Sequence, residues 1–246
     1  MIALVDTHCH LDLFERIKEK VTEEDLLEIK TITVTNAPRF YKPNQDLFRA
    51  CNNIRVALGF HPQLVQQYKD DLKVFESLID QTKYIGEIGL DGSKEYQSTY
   101  TIQLGIFRGI LAALARTEGK VVTIHSRNAA TEVIELLSKQ QARTKNKFIL
   151  HWFTGTLTEL RQAIKIDCYF SVNHKMVNGE KGRRLIEEIP LDRLVTETDA
   201  PFTFSGGLQS RIKSLETTIG ELSLIRKTTP IEMRSIVYEN FRSIIV

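Results

Sequence analysis

Residues 1–10 read MIALVDTHCH, an apolar run that ends in two histidines flanking a cysteine. If Ile2 to His10 is extended, its side chains alternate between two faces, so His8 and His10 point one way and Cys9 the other. Cys9 is then a poor partner for the imidazoles. An isolated His-x-His is as often a polar strand end as a pair of metal ligands, so the rest of the chain decides between them.

Working outward, seven further β-rich runs follow: TITVT (31–35), RVALGF (55–60), KYIGEIGL (83–90), KVVTIH (120–125), KFILHW (147–152), CYFSV (168–172) and RLVTET (193–198). With the opening run IALVD (2–6), their starts lie roughly 20 to 37 residues apart, the spacing of strand-helix units rather than hairpins. Most are continuously apolar, as parallel strands covered by helices must be. The intervening segments carry helical signals. Asn128 is placed to cap AATEVIELLSKQ, and Thr156 with Glu159 has capping-box spacing. Ile106, Ile110, Ala113 and Leu114 share one face of the segment 97–116, and Pro230 stands where the last helix starts. No Gly/Ser-rich or proline-rich linker and no low-complexity tract marks a boundary, so residues 1–246 read as one domain. The expected architecture is α/β, a single (β/α)8 barrel.

Composition narrows the class. Lysine and arginine number 33 against 31 aspartate and glutamate, so no global field draws nucleic acid or an acidic membrane, and a polyanion must be held locally. The start runs straight into DTHCH without the layout of a signal peptide, and no later apolar run reaches membrane-span length, so a soluble cytoplasmic chain is expected. Cys9, Cys51 and Cys168 are scattered and never form a Cys-x-x-Cys pair, which argues against a disulfide framework and a zinc ribbon.

In a barrel of this kind, reactive groups sit at the carboxyl ends of the strands. Five of the six histidines fall there: His8, His10, His61 in GFHP, His125 in IHSR and His151 in LHWF. Glu87 in GEIGLD and Asp199 in ETDAP join them. His8, His10, Glu87, His125, His151 and Asp199 are too many for one tetrahedral ion with an open position, so two divalent cations are expected, with Glu87 bridging. The histidine-rich set suits zinc or manganese better than magnesium.

DTHCHLD, GFHP, GEIGLD, IHSR, HWFTG and ETDAP together resemble, in order and spacing, the TatD family of metal-dependent deoxyribonucleases, a branch of the amidohydrolase-like barrel superfamily. The likeness runs from Val5 to about Pro201 and resumes weakly at Glu239 to Arg242. It implies the same six metal ligands, cleavage of DNA phosphodiesters, often 3′ to 5′ from single strands or 3′ ends, and an approach of His61 and Arg127 to the substrate phosphate. The departures surround the entrance. Gly92 and Ser93 replace a usual aromatic pair, Ile110 replaces a glutamine, VNHKM (172–176) replaces a small glycine-containing loop, and SGGLQSRIKS (205–214) replaces an arginine, asparagine and proline stretch. This combination is similar to the TatD-like subunits of bacterial Qat anti-phage systems, which implies protein partners in defence.

Residue chemistry completes the expectation. Asp199 is placed to act as general base and Glu87 to share the cations; Asp91 either orients a ligand from behind or caps its loop, and Glu197 either orients a ligand from behind or serves as an inert ion-pair partner. Arg127 offers a planar fork for phosphate. His174, Lys175, Arg211 and Lys213, after strands seven and eight, form an expected cationic strip for the nucleic-acid backbone. Two rival readings remain: a hydrolase of a small cyclic amide, lactone or nucleobase on the same barrel, and an interaction subunit with vestigial chemistry.

Overall fold

A computed structural model describes residues 2–141, 145–205 and 210–246. Eight strands appear where the apolar runs put them: β1 (Leu4–Cys9), β2 (Ile29–Val34), β3 (Ile54–Ala57), β4 (Tyr84–Gly89), β5 (Val121–His125), β6 (Lys147–His151), β7 (Tyr169–Val172) and β8 (Leu194–Thr196). The helices between and after them are α1 (Ile17–Leu26), α2 (Tyr41–Phe48), α3 (Val65–Tyr68), α4 (Leu72–Leu78), α5 (Tyr100–Leu114), α6 (Ala130–Gln141), α7 (Leu157–Lys165), α8 (His174–Asn178), α9 (Glu180–Glu188), α10 (Arg211–Arg226) and α11 (Pro230–Ile245). Every strand pair is parallel, and the order around the barrel follows the chain. The fold is an α/β (β/α)8 barrel.

The regular ladder is interrupted at two seams, and both bear on the functional end. Between β3 and β4 the pairing reduces to a bridge at Leu58 and Ile85, extended by Phe60 N donating to Glu87 O at 2.8 Å. Gly59 is required there, because a Cβ would lie 1.7 Å from Thr35 O and 2.6 Å from Glu87 N. Between β8 and β1 side chains close the barrel: Thr7 Oγ1 donates to Thr196 O at 3.1 Å and Thr196 Oγ1 to Val5 O at 2.6 Å. Irregular seams free backbone and side chains to serve the site.

One contiguous set of buried apolar side chains runs from Leu4 to Ile244, joining the strands to the helical layer. The expected face of α5 is buried at Ile106, Ile110, Ala113 and Leu114. Thr156 and Glu159 form the full capping box of α7, and α11 has Pro230 in its first turn behind a second box from Thr229 and Glu232. Asn128 differs from expectation. It adopts a left-handed conformation (φ 53°) before α6, and its side chain forms no bond to that helix among the described residues. Cys9 sits in a second, smaller cluster with Leu11, Ile17, Phe48 and Ile54, under α1 and α2 and away from the barrel mouth. No described helix is long and apolar enough to cross a membrane. Of the departing stretch 205–214, residues 206–209 lie outside the described residues.

Candidate metal centre

Glu87 is the hub of the barrel mouth, buried and ringed by five imidazoles. Its Oε1 lies 2.7 Å from His125 Nδ1, 2.9 Å from His151 Nε2 and 3.2 Å from His61 Nε2. Its Oε2 faces the other way, 3.3 Å from His8 Nε2 and 3.4 Å from His10 Nε2. Asp199 closes the ring from beyond β8, with Oδ1 3.5 Å from His10 Nε2 and 3.8 Å from His8 Nε2. The alternation of β1 does what its sequence requires: both histidines enter the mouth and Cys9 leaves it.

A hydrogen bond chooses which nitrogen His8 presents. His8 Nδ1 pairs with Thr123 Oγ1 at 2.6 Å, which leaves Nε2 buried, without a hydrogen bond and aimed at Glu87 and Asp199. The His8 and His151 rings stack with centroids 3.8 Å apart. Burial and the His151 charge push the His8 pKa down to about 3, so its lone pair is free at neutral pH. His10 runs the other way: burial opposes its charge, but hydrogen bonds to Asp199 and Glu87 outweigh that and raise its pKa to about 9. Burial disfavours a charged Glu87, yet His61, His151 and His8 hold it well below the usual carboxylate range.

These donors fit divalent cations. The atoms of His8, His10 and Glu87 lie within 4.8 Å of one another, as do those of His8, His151 and Asp199 and those of His61, Glu87 and His125. A cation would engage the unpartnered His8 nitrogen and relieve the competition of several imidazoles for two carboxylates. His61, expected only near the substrate, therefore also stands among the donors.

Behind the ring, two carboxylates back two histidines. Asp91 Oδ2 lies 2.9 Å from His125 Nε2 and accepts from Gln63 Nε2 at 2.8 Å, while Ser93 binds its other oxygen through N–H and hydroxyl. Burial raises the Asp91 pKa, but bonds from His125, Ser93 and Gln63 prevail and hold it below the ordinary range. Glu197 accepts from Ser171 Oγ and, at 2.8 Å, from Asn173 Nδ2, with His151 Nδ1 3.7 Å away. The departing Gly92 and Ser93 now have a physical account. Ser93 braces Asp91, and a Cβ on Gly92 would fall 2.2 Å from Asn128 O, so that contact between the loops after β4 and β5 admits no side chain.

A cavity of about 700 Å³ opens over the ring, lined by His10, His61, Glu87, His125, His151 and Asp199 and by a rim that includes Arg127. Asn128, Trp152 and Asp199, all at this rim, have positive φ (53°, 37° and 49°), a conformation costing of order 1–3 kcal/mol that clusters at functional sites. The Arg127 side chain is exposed and has no ion pair among the described residues. Sequence reasoning missed Gln63, Trp152, Lys181 and Phe202. Gln63 and Phe202 directly follow the motifs GFHP and ETDAP, and Trp152 lies within HWFTG, which was a usable signal; Lys181 on α9 adjoins none. Phe202 is 62% exposed and stands edge-on to His10 with ring centroids 5.0 Å apart.

The expected cationic strip does not form. Arg211 is buried, donating to Asp6 Oδ2 (3.0 Å), Glu24 Oε2 (2.9 Å) and Thr31 Oγ1 (2.6 Å). Removing one partner of such a pair costs about 3–5 kcal/mol, so this guanidinium stays inside rather than turning to a polyanion. His174 is also buried, with Nδ1 2.9 Å from Ser214 Oγ. Lys175, bound to Ser205 Oγ at 2.6 Å, and Lys213 are the members at the surface, and neither lines the cavity.

A parallel eight-stranded barrel with an imidazole and carboxylate cluster in its mouth defines a metal-dependent hydrolase. The family of TatD related DNases matches residues 5–245, and the chain belongs to it. It is 31% identical to an uncharacterized metal-dependent hydrolase, YabD, of Bacillus subtilis, across 96% of each chain. It is 35% identical to a 3′-5′ ssDNA/RNA exonuclease TatD of Edwardsiella piscicida, across 53% of this chain and 50% of that one. The fold superposes on YJJV, a TatD homolog from Escherichia coli K12, with a TM-score of 0.86 and 22% identity over 99% and 98% of the two chains.

Proposed function

We propose that the protein hydrolyses DNA phosphodiesters with two divalent cations, removing nucleotides from the 3′ end of single strands. The observation that carries this reading is the division of Glu87: one oxygen turned to His125 and His151, the other to His8 and His10, as a carboxylate shared by two ions would be. Zinc or manganese suits these nitrogen-rich donors, and bound cations would neutralise the phosphate and lower the pKa of water beside it. Asp199, buried next to His8 and His10, is placed to take the proton of the attacking water. Arg127 grips non-bridging phosphate oxygens with an unpaired fork, and His61, whose ring lies 5.2 Å from that of His125, approaches them beside it. Asp91 fixes the ring of His125 through a hydrogen bond, and Glu197, 3.7 Å from His151 Nδ1, sets a carboxylate beside that ring. The likeness to the Edwardsiella enzyme supports a single-stranded substrate, with RNA as the alternative.

Incubating the purified protein with end-labelled single-stranded DNA and manganese tests this. Stepwise shortening from the 3′ end, abolished by a chelator, is expected. Inert DNA together with hydrolysis of a cyclic amide or lactone would transfer the assignment to the amidohydrolase reading. A role in anti-phage defence alongside protein partners rests on the departing entrance loops, and plaque counts on cells with and without the Asp199→Asn variant test it.

A further inference from the structure

A buried chain of polar contacts leads from the start of α10 to the carboxylate over the metal centre. Asp199 N donates to His8 O at 2.8 Å, and His10 N to Ala200 O at 2.8 Å, so the segment after β8 hangs on β1. Asp6, also on β1, accepts from Thr198 N at 2.8 Å on one oxygen and from Thr198 Oγ1 at 2.7 Å on the other. The Oδ2 that takes the hydroxyl also accepts from Arg211 Nε at 3.0 Å, and the rest of that guanidinium is fixed by Glu24 on α1 and Thr31 on β2. Asp6, Thr198, Thr31 and Arg211 are all buried. At the end of the chain Asp199 is left-handed at φ 49°, a state that persists only where neighbours over-determine it.

We propose that Arg211 is a positioning residue for Asp199. It locks the Asp6 carboxylate, Asp6 clamps Thr198 by backbone and hydroxyl, and the clamp holds the strained backbone that aims the Asp199 carboxylate at the His8 and His10 side of the centre. An arginine is needed rather than a lysine, because three acceptors on three elements are met by one planar fork. The inference rests on Asp199 being a ligand and base.

The test uses Arg211→Lys, Thr198→Val and, as control, Asp199→Asn, read by Mn²⁺ binding to the apoprotein and by kcat and KM on a minimal phosphodiester. Thr198→Val keeps the backbone bond and side-chain shape but removes the hydroxyl that donates to Asp6 and, at 3.2 Å, accepts from Ala200 N. Each of the first two is expected to weaken Mn²⁺ binding or lower kcat about 10- to 100-fold, the range of groups that orient metal ligands, with KM nearly unchanged. The double variant is expected to lose little more than the worse single one, because both act through Asp6. A folded Arg211→Lys protein with lowered melting temperature but wild-type kcat and Mn²⁺ binding would make Arg211 a stabilising ion pair and overturn the proposal. Should Arg211→Lys not fold, wild-type kcat in Thr198→Val would overturn it equally. If Asp199→Asn itself leaves Mn²⁺ binding and kcat intact, the reading of the centre fails, not the clamp.

Discussion

Arg127 and Arg211 stand at the same end of the barrel and in the sequence both read as phosphate contacts, yet the fold uses them in opposite ways. Arg127 follows β5 directly, lies at the cavity rim and has a free guanidinium among the described residues. Arg211 opens α10 and disappears into contacts with Asp6, Glu24 and Thr31. Charge alone therefore does not mark a substrate contact. Arg127 is separated from His125 by one residue of intervening chain, whereas Arg211 meets acceptors 180 to 205 positions away, a relation that no local pattern displays.

Arg127→Ala is expected to remove a contact made only to substrate. It is expected to weaken kcat/KM on DNA roughly 10- to 100-fold, the worth of a lost hydrogen bond to a charged group, while metal binding and melting temperature stay put. Steady-state kinetics beside a thermal melt checks this, and a large fall in melting temperature would place Arg127 with Arg211 instead. Lys181, exposed on α9 and bound through Nζ to Thr154 O at 2.5 Å, is a weaker rim cation. Lys181→Ala should cost at most about fivefold in DNA affinity, and flatten the salt dependence by about 0.7 in log–log slope for one single-strand phosphate released. Affinity across a salt series in the Asp199→Asn background measures it, and an unchanged slope would remove Lys181 from the substrate path. The smallest effect on the centre belongs to Cys9. Its thiol packs beneath α1 and α2 with Ile32 O 3.8 Å away and the Asp6 carboxylate beside it, so a serine hydroxyl finds polar partners, and Cys9→Ser should leave metal content unchanged and cost about 1 kcal/mol, mostly in lost packing. Metal analysis and a denaturant melt report both, and an emptied centre would reverse the orientation of β1.

What the sequence displays, and what it hides, follows from range. The strands are legible because burial on both faces demands unbroken apolar runs, and the candidate metal donors because the histidines fall in or just after such runs. Strand ends are less legible. The run RLVTET yields β8 only over Leu194–Thr196, because Glu197 turns its side chain to Ser171 and Asn173, and Thr198 bonds to Asp6. RVALGF yields β3 only to Ala57, because Gly59 lets the backbone press onto Glu87. Asp91 and Glu197 were legible as neighbours of ligands, whereas the burial of Arg211 and His174 depends on partners remote in the chain.

The proposed function stands on Glu87 being shared by two cations. Counting tightly bound Mn²⁺ per chain in wild type and Glu87→Gln, with hydrolysis of a minimal phosphodiester followed in the same samples, tests it most directly. An amide oxygen is a poor bridge between cations, so two ions are expected to fall to one and activity to drop on the order of a thousandfold, in a chain whose melting profile shows it folded. Two ions retained in Glu87→Gln with near-normal hydrolysis would contradict it.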